Sequence, residues 1–350
     1  MPSLESEIEG IIETFTNNLK QRKFKGSRDL ALNSVQLWKK IIGQMKWQNA
    51  RELMDKIKEI GKDFQETSPS ETVIGNMTRR MLKIVRDEYA MLQKGKQEDS
   101  DLQESLQKIL TADEVDVDYS KNIPLLKPAI MEHIGEFLIE LESSEIDISA
   151  QALEHIHANE IIMTIGYSKT VFAFLKTAAK DRAFQVIVAE CAPFYHGHKL
   201  AADLAEAQIS TTLIPDSAIF AMMARVNKVI IGTHSVMANG GLKAVCGTHT
   251  LALAAKHYSV PFVVCAPMFK LCPEYVCSLD QDGFNQFASP EEVLSNDEGM
   301  LVSRVNVYNP IFDYVPPELV TLFISNTGGN APSYIYRLLS ELYHSLDVQL

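Results

Sequence analysis

The chain has 350 residues, 46% of them hydrophobic and 22% charged, which is an ordinary globular composition with enough length for two or three domains. Its formal net charge of −12 comes without any basic arm or cluster, which argues against direct nucleic-acid binding and leaves protein partners open. No apolar run approaches the roughly 20 residues of a membrane span, and glutamates stand where a secretory signal would be positive, so we expect a cytosolic protein.

The first 148 residues are predicted to be helical, because apolar residues recur at three-to-four spacing in one segment after another. A helix start is predicted at Ser68-Pro69-Ser70-Glu71, where a capping serine, a proline at the first helical position and a glutamate at the third coincide. A later helix is predicted at Leu125–Leu141. Its exposed side carries a row of glutamates that includes Glu132, Glu136 and Glu140.

The periodicity changes at Glu160, after which short β-branched apolar runs alternate with helical segments. The predicted strands are Ile161–Ile165, Val186–Ala189, Thr211–Ile214, Lys228–Ile231 and Val260–Cys265. A helix is predicted within Gly247–Tyr258 and a loop at Gly232–Gly240. Strands that are apolar throughout and joined by helices indicate a parallel sheet covered on both faces. We therefore predict an α/β protein with an N-terminal α-helical domain at residues 1–148 and a Rossmann-like parallel-sheet C-terminal domain at residues 149–350.

Two charged or polar stretches are predicted to be surface segments. Gly95–Asp101 interrupts the helical pattern and is predicted to be a linker. Cys272–Glu298 contains proline, glycine and aspartate and is predicted to be an insertion or a lid loop. Chemistry in an open parallel sheet belongs to the loops after the carboxyl ends of the strands, so candidate residues are sought there.

Two long segments carry a family resemblance. Asn227–Pro267 reads NKVIIGTHSVMANGGLKAVCGTHTLALAAKHYSVPFVVCAP, and Asn309–Tyr343 reads NPIFDYVPPELVTLFISNTGGNAPSYIYRLLSELY. Both resemble the core shared by the sugar-phosphate isomerases, which interconvert aldose and ketose phosphates, and by the alpha, beta and delta regulatory subunits of eukaryotic translation initiation factor 2B. The resemblance to the regulatory subunits spans essentially the whole chain.

The resemblance points to three strand-end positions at which the isomerases carry reactive side chains. Gly166 matches their catalytic cysteine, His234 stands in place of their aspartate, and Ala192 replaces an arginine that can meet the sugar phosphate. Glycine and alanine supply neither a nucleophile nor a phosphate-binding fork, whereas histidine can transfer protons near neutral pH. The resemblance therefore implies a scaffold without its catalyst, and we predict no catalytic residue.

Three further features could bind a ligand but have simpler explanations. The turn Gly166–Thr170 could hold a phosphate on its backbone N–H groups, or it could only cap the next helix. His196 and His198 form an H-x-H pair without a third metal ligand nearby in the sequence. The five cysteines lack the paired spacing of a metal site, so free thiols are expected. No metal and no cofactor is predicted.

For a regulatory subunit of this family, the resemblance implies membership of a heterodecameric exchange factor that reloads initiation factor 2 with GTP. The implied partners are its alpha, gamma, delta and epsilon subunits, with delta as the closest pair, and initiation factor 2, chiefly through its alpha subunit. The family also implies a two-fold contact and a small-molecule regulatory pocket at the edge of the first two strands. The corresponding residues are His157, Asn159, Glu160, Gln185, Ile187 and Thr212.

The glutamates Glu132, Glu136 and Glu140 have two interpretations. Exposed glutamates usually form only a solvated helix face, but an acidic surface can also dock a partner, and we predict docking of the substrate's alpha subunit there. For the whole chain, the preferred hypothesis is a non-catalytic regulatory subunit that senses phosphorylation of this alpha subunit. The alternatives are a sugar-phosphate isomerase that uses His234 and a sensor with a vestigial sugar-phosphate pocket.

Overall fold

The computed structural model describes residues 4–94, 118–275 and 284–350. The predicted linker Gly95–Asp101 lies outside this description, as do residues 276–283, which include Cys277 and belong to the predicted insertion or lid loop Cys272–Glu298. The chain divides into two compact units. One unit comprises Met1–Ser68, Met77–Leu141 and Leu342–Leu350. The other comprises Pro69–Asn76 and Glu142–Glu341. The boundary between residues 148 and 149 as a border of separate domains stays a prediction.

Helices make up the described part of the N-terminal half, as predicted. They are α1 (Leu4–Lys20), α2 (Ser27–Gln44), α3 (Ala50–Thr67), α4 (Thr72–Lys94) and α5 (Leu126–Ala150). Aromatic rings form the centre of the first unit: Phe64 is 1% exposed, and its ring centroid lies 5.2 Å from that of Phe15 and 6.0 Å from that of Trp38. Edge-to-face contacts of this kind stabilise a core by about 0.5–1.5 kcal/mol beyond the buried area.

The helix start predicted at Ser68-Pro69-Ser70-Glu71 is wrong. Helix α3 continues to Thr67, and α4 begins only at Thr72. Between the two helices, Ser70 is 6% exposed, and its carbonyl oxygen accepts a hydrogen bond from Lys243 Nζ at 2.9 Å. This contact with a residue far along the chain holds Ser68–Glu71 as a non-helical connection between α3 and α4. Such tertiary contacts override local helix signals.

Helix α5 is longer than predicted, since it ends at Ala150 and not at Leu141. The pair Ser143 and Ser144 interrupts the apolar pattern that the sequence prediction followed, but Ile148 is fully buried beyond it and continues the same helix. With 25 residues, α5 exceeds the length of a membrane span but carries several glutamates. Within the described ranges, no helix combines the length and the apolar character needed to cross a membrane.

The second unit contains two sheets. In chain order its strands are β1 (Ile161–Ile165), β2 (Gln185–Ala189), β3 (Ser210–Ile214), β4 (Lys228–Gly232), β5 (Ser235–Val236), β6 (Leu242–Val245), β7 (Phe262–Cys265), β8 (Phe312–Val315), β9 (Leu322–Ser325) and β10 (Gly328–Asn330). The main sheet has the order β10-β9-β7-β4-β1-β2-β3 and is parallel except for the antiparallel pair β9 and β10. Strands β5, β6 and β8 form a separate antiparallel sheet.

Helices cover the main sheet. In chain order they are α6 (Ala152–His155), α7 (Lys169–Ala178), α8 (His196–Glu206), α9 (Ile219–Met223), α10 (Thr248–His257) and α11 (Ile335–Leu342). Val188 of β2 is fully buried in a cluster with Phe174 of α7 and Leu200 of α8. Because side chains alternate along a strand, Gln185 and Ile187 of β2 face the opposite side. A helical region followed by a mostly parallel sheet with helices confirms the predicted fold class.

The predicted loop Gly232–Gly240 contains a short strand, so this part of the prediction is wrong. Ser235–Val236 pair with Leu242–Lys243 across a turn in which Gly240 N–H donates to Met237 O at 2.9 Å. Gly240 has a φ of 81°, in the left-handed region that glycine adopts without strain. A two-residue strand is too short to show an alternating pattern, and its pairing became visible only in the folded chain.

Candidate functional site

Gly166 follows β1 and begins the turn that leads to α7. Its φ is 66°, and a Cβ built on it would lie 3.5 Å from Val245 Cγ1 and 3.6 Å from Cys191 Sγ. Ser168 caps α7, because its hydroxyl oxygen accepts a hydrogen bond from Val171 N–H at 3.4 Å. The sequence left open whether this turn binds a phosphate or caps the next helix, and the structure shows the helix cap. Gly166 itself has no side chain that could react.

Cys191 is a thiol beside Gly166 that the sequence analysis did not single out. It follows β2 and is 1% exposed. Burial, followed by the negative charge of Asp216, raises the pKa of this thiol to about 12. Only the thiolate is a nucleophile, so a thiol with this pKa is inert near neutral pH. Its position directly after a strand end was the signal that could have identified it.

Two carboxylates bind backbone N–H groups at the strand ends. Asp216 accepts a hydrogen bond from Ala192 N–H at 2.7 Å. Asp313 accepts hydrogen bonds from Gly247 N–H at 2.7 Å and from His249 N–H at 3.2 Å, at the start of α10. Free N–H groups at helix starts commonly bind phosphate, but these already donate to negative groups within the chain. The sequence could not reveal this pairing, since Asp313 and Gly247 lie 66 residues apart.

Ala192 is exposed, and its methyl group offers no hydrogen-bond donor to a phosphate. In the same loop, His198 Nε2 lies 3.6 Å from Glu190 Oε2, and the His196 ring lies 5.7 Å from the Phe194 ring. Among the described residues, no three histidine, cysteine, aspartate or glutamate side chains are grouped so as to hold a metal ion. The H-x-H pair thus contacts its own loop.

His234 lies between β4 and β5 and packs within the second unit. Its side chain is 15% exposed, its ring centroid lies 4.6 Å from that of Phe312, and Nε2 lies 3.5 Å from Glu71 Oε2. Burial, followed by the positive charges of Lys243 and Lys270, lowers its pKa to about 3. The imidazole is therefore neutral at neutral pH, and its pKa is far from the value near 7 that suits a general acid or base.

Three of the predicted interface residues lie on one face at the edge of the main sheet. Strand β3 is the outermost strand, and its register places Gln185 opposite Ser210 and Ile187 opposite Thr212. Paired residues and residues two positions apart share a face of the sheet. Gln185 and Thr212 are exposed, whereas Ile187 is 5% exposed. The edge thus presents a largely polar surface with an apolar residue beneath it.

The other three predicted interface residues form the loop that enters β1. Glu160 Oε2 accepts a hydrogen bond from His157 N–H at 3.0 Å and lies 3.4 Å from Lys228 Nζ. Asn159 has a φ of 63°, in the left-handed region. The Glu160 carbonyl oxygen accepts a hydrogen bond from Gln185 N–H at 2.9 Å, which brings the loop and the strand face together. Whether this edge contacts another subunit stays a prediction.

The predicted docking surface on α5 is less uniformly acidic than the sequence indicated. Glu132 and Glu136 are exposed, and Glu140 is partly buried. On the same side of the helix, Ile139 is 67% exposed. The surface therefore combines carboxylates with an open apolar side chain, and its role in docking stays a prediction.

A family model described as "Initiation factor 2 subunit family" matches residues 23–332 of the chain. The chain belongs to this family. A relative in Dictyostelium discoideum, translation initiation factor eIF2B subunit beta, is 46% identical over 373 residues, and the match covers 96% of each chain. A ribose 1,5-bisphosphate isomerase of Archaeoglobus fulgidus is 30% identical over 221 residues, which cover 61% of this chain and 68% of that protein. The resemblance predicted from the two long segments is confirmed.

A solved structure of a member of the initiation factor 2 subunit family extends this finding to the fold. The crystal structure of the tetrameric eIF2B-beta2-delta2 complex from Chaetomium thermophilum contains a chain that is 27% identical to this one, with a TM-score of 0.72 and 97% of each chain covered. The present chain shares the fold of that structure, and its own strand ends carry Gly166, Ala192 and a protonated Cys191. The family resemblance identified the first two, whereas the protonation state of the thiol follows from its burial.

Proposed function

We propose that this chain is a non-catalytic regulatory subunit of the guanine nucleotide exchange factor for translation initiation factor 2 and that it acts in the cytosol. The observation that carries the proposal is the lack of reactive side chains at these strand ends. The residues there are Gly166, Ala192, a protonated Cys191 and a neutral His234. None of them provides a nucleophile or an acid–base pair near neutral pH. The function then lies in what the chain binds.

The proposed partners are the alpha, gamma, delta and epsilon subunits of the exchange factor, with delta as the closest pair. The relative from Chaetomium thermophilum, which is described as a complex of beta and delta chains, supports the pairing with delta. We assign the two-fold contact and the small-molecule regulatory pocket to the edge formed by His157, Asn159, Glu160, Gln185, Ile187 and Thr212. An outermost strand leaves N–H and C=O groups without strand partners, which makes such an edge suitable for contact with another chain.

The proposed docking surface for the alpha subunit of initiation factor 2 is the exposed side of α5. Ile139 is exposed beside Glu132 and Glu136, which supports a surface that binds a partner and not one that only faces solvent. Covering an exposed apolar side chain is favourable because it removes apolar area from water. Phosphorylation adds about −2 charges to a protein at neutral pH. An acidic surface repels that charge, which provides a physical basis for sensing the phosphorylated substrate.

The test is a charge reversal in the reconstituted exchange factor. The double variant Glu136→Lys with Glu140→Lys is expected to weaken binding of initiation factor 2 by about tenfold, because complementary charges at a contact surface are replaced by repulsive ones. Assembly, measured by native mass spectrometry, should be unchanged. Glu206→Lys, an exposed position on α8, is the matched control. Equal affinities of the double variant and the control would remove α5 from the proposal.

The similarity to a ribose 1,5-bisphosphate isomerase favours one alternative that can be tested with the purified chain. Incubation with ribose 1,5-bisphosphate is expected to give no ketose product. Turnover that is abolished by His234→Ala would overturn the non-catalytic assignment. Saturable binding without turnover would indicate the vestigial sugar-phosphate sensor, and isothermal titration calorimetry distinguishes this outcome from the absence of binding.

A further inference from the structure

A surface extension precedes β8 and comprises residues 286–311, which are called the extension below. Its two ends lie side by side, because Ile311 N–H donates a hydrogen bond to Gln286 O at 2.9 Å. Serine hydroxyls cap two short 3₁₀ turns within it, Pro290–Glu292 and Asn296–Glu298. The extension is therefore held by its own hydrogen bonds before any partner binds, which lowers the entropic cost of a contact.

Large apolar side chains are concentrated on the extension. Phe287 is 61% exposed, Met300 is 73% exposed and Tyr308 is 77% exposed. Four further apolar residues are exposed there: Val293, Leu301, Val302 and Val305. The rings of Phe287 and Tyr308 are in edge-to-face contact, with their centroids 6.2 Å apart. Single exposed apolar side chains are normal, whereas side chains in mutual contact form a patch of the kind that marks an interaction surface.

The apolar patch continues into an open groove of about 370 Å³. Tyr308 lines this groove together with Leu294, Val302 and Val305, so the aromatic pair and the aliphatic side chains form one continuous surface. A concave apolar surface encloses an inserted side chain on several sides, and such pockets hold the anchor residues of protein interfaces. The groove is therefore the part of the extension that is best suited to hold a side chain of a partner.

The charges of the extension are mostly negative. Its exposed carboxylates are those of Glu291, Glu292, Asp297 and Glu298. Its sequence contains one positive residue, Arg304, and neither lysine nor histidine. Pro290 and Asn296 line the groove, so the carboxylates that directly follow them, those of Glu291 and Asp297, flank it. Within the described part of the chain, no lysine, arginine or histidine forms an ion pair with any of the four carboxylates.

The ionisable groups at the base of the extension do not reverse this charge. Asp313 of β8, which follows the extension, is a further carboxylate. Lys243 of β6 is 1% exposed, and its Nζ lies 4.8 Å from the centroid of the Phe312 ring. The positive charge of Lys243 is therefore buried and does not compensate the exposed carboxylates.

We propose that the groove of the extension binds a basic segment of a partner protein. An apolar or aromatic side chain of that segment enters the groove beside Tyr308, and its lysines or arginines lie near Glu291 and Asp297. The four carboxylates of the extension have no ion-pair partner among the described residues, and complementary charges across an interface determine its specificity and raise its association rate. Charge complementarity therefore selects a basic occupant.

Two other occupants fit less well. A second copy of this chain would set the same negative surface against itself in a symmetric pair, and like charges across an interface are repulsive. The internal segments of this chain outside the described residues, 95–117 and 276–283, each contain more acidic than basic residues. The extension contains none of the residues assigned to the strand ends, to α5 or to the predicted contact edge, so this surface goes beyond the proposed function.

The test is photo-crosslinking in the intact chain, expressed in cells that make its native partners. A photoreactive phenylalanine analogue replaces Tyr308, and the matched control carries it in place of Tyr336 of α11, which is 74% exposed. Mass spectrometry of the Tyr308 adducts is expected to identify one partner segment with an excess of lysine and arginine around an apolar or aromatic residue. The proposal is overturned if Tyr308 yields no product above the control, if the segment is neutral or acidic, or if it belongs to a second copy of this chain.

A pair of matched double variants tests the electrostatic part in the same cells. Glu291→Lys with Asp297→Lys is expected to lower the yield of the Tyr308 adduct about tenfold, whereas Glu291→Asp with Asp297→Glu, which keeps the charges, leaves the yield unchanged. Both positions are exposed, so the folded chain tolerates these changes. Equal adduct yields for the two double variants would overturn the proposed recognition of a basic segment. The readout does not involve nucleotide exchange, so failure here leaves the proposed function intact.

Discussion

Two ionisable side chains near the strand ends, Cys191 and His234, are both kept neutral by burial. Burial raises the pKa of the thiol to about 12 and lowers that of the imidazole to about 3, because each charged form would lose its contact with water. An active site commonly shifts such groups toward pKa values near 7. Here both shifts lead away from neutrality, so near pH 7 the Cys191 thiol is not a nucleophile and the His234 imidazole is a weak base that carries no proton to donate as an acid.

The buried imidazole predicts a measurable dependence of stability on pH. The unfolded chain binds a proton at His234 as the pH falls below 6.5, whereas the folded chain does so only near about 3. The unfolded state therefore binds more protons in this window, and the free energy of unfolding decreases as the pH falls. His234→Gln, which does not titrate, is expected to reduce the loss of stability between neutral pH and pH 4 by about 3 kcal/mol, since each pH unit in this window corresponds to about 1.4 kcal/mol. Urea denaturation at several pH values measures this difference.

The control for this prediction is His257→Gln, which removes an exposed histidine of α10. Its stability is expected to follow the pH dependence of the unaltered chain. If His234→Gln and the unaltered chain lose the same stability on acidification, the imidazole is not held neutral by the fold, and the argument against acid–base catalysis at His234 loses its basis.

At the scale of elements, the crossing of α3 and α4 depends on the absence of one side chain. A Cβ built on Gly61 of α3 would lie 2.2 Å from Thr78 Cγ2 of α4, which is closer than any real contact. Thr78 is fully buried, so it has no free space into which to move. Glycine within a helix costs about 1 kcal/mol relative to alanine, and the close approach of the two helices offsets this cost.

Gly61→Ala is therefore expected to destabilise the chain by about 1–3 kcal/mol, although alanine is the better helix former. Thr78→Ser in the same chain removes the clashing methyl group and should restore most of the loss. The control is Gly10→Ala in α1, where an added Cβ meets nothing within 4 Å and the gain in helix propensity should raise stability by up to about 1 kcal/mol. Thermal denaturation distinguishes these outcomes, and a neutral Gly61→Ala would contradict the packing argument.

At the scale of the whole molecule, the last nine residues belong to the same compact unit as the N-terminal helices. The Asp347 carboxylate is fully buried and accepts hydrogen bonds from Arg86 at 2.7 and 2.9 Å, while Lys58 Nζ lies 2.9 Å from it. Burial alone would raise the pKa of Asp347, but the hydrogen bonds and charges of Arg86 and Lys58 outweigh burial and lower it. Removing one partner of such a buried group leaves the others without compensation.

Deletion of Leu342–Leu350 is expected to weaken the first unit selectively. Hydrogen exchange should accelerate in α3 and α4, while β1 and β2 keep their protection, because Lys58 of α3 and Arg86 of α4 lose their contacts with Asp347. Asp347→Asn is the matched point variant, and it should destabilise the same helices by about 3–5 kcal/mol, since Arg86 and Lys58 then lose their counter-charge. Uniform acceleration across both units would contradict the assignment of these residues to the first unit.

The amino-acid sequence by itself determined the elements whose signal is local, and it identified the family. Three-to-four spacing predicted the helices of the N-terminal half, continuous apolar runs predicted strands such as β1 and β4, and two long motifs carried the resemblance. The resemblance also implies the loss of reactive groups at Gly166 and Ala192, because glycine and alanine have no side chain that can react. The tertiary structure was not needed for any of these conclusions.

Only the tertiary structure decided the features that join distant parts of the chain. The helix start predicted at Ser68–Glu71 is replaced by a connection in which Ser70 contacts Lys243. The short strand β5 required its pairing in the second sheet, and the hydrogen bonds of Asp313 join residues far apart in sequence. The neutral state of His234 also depends on what surrounds it. The physical reason is common to all four: periodicity is a property of neighbouring residues, whereas burial and charge environment are set by residues that meet only when the chain has folded.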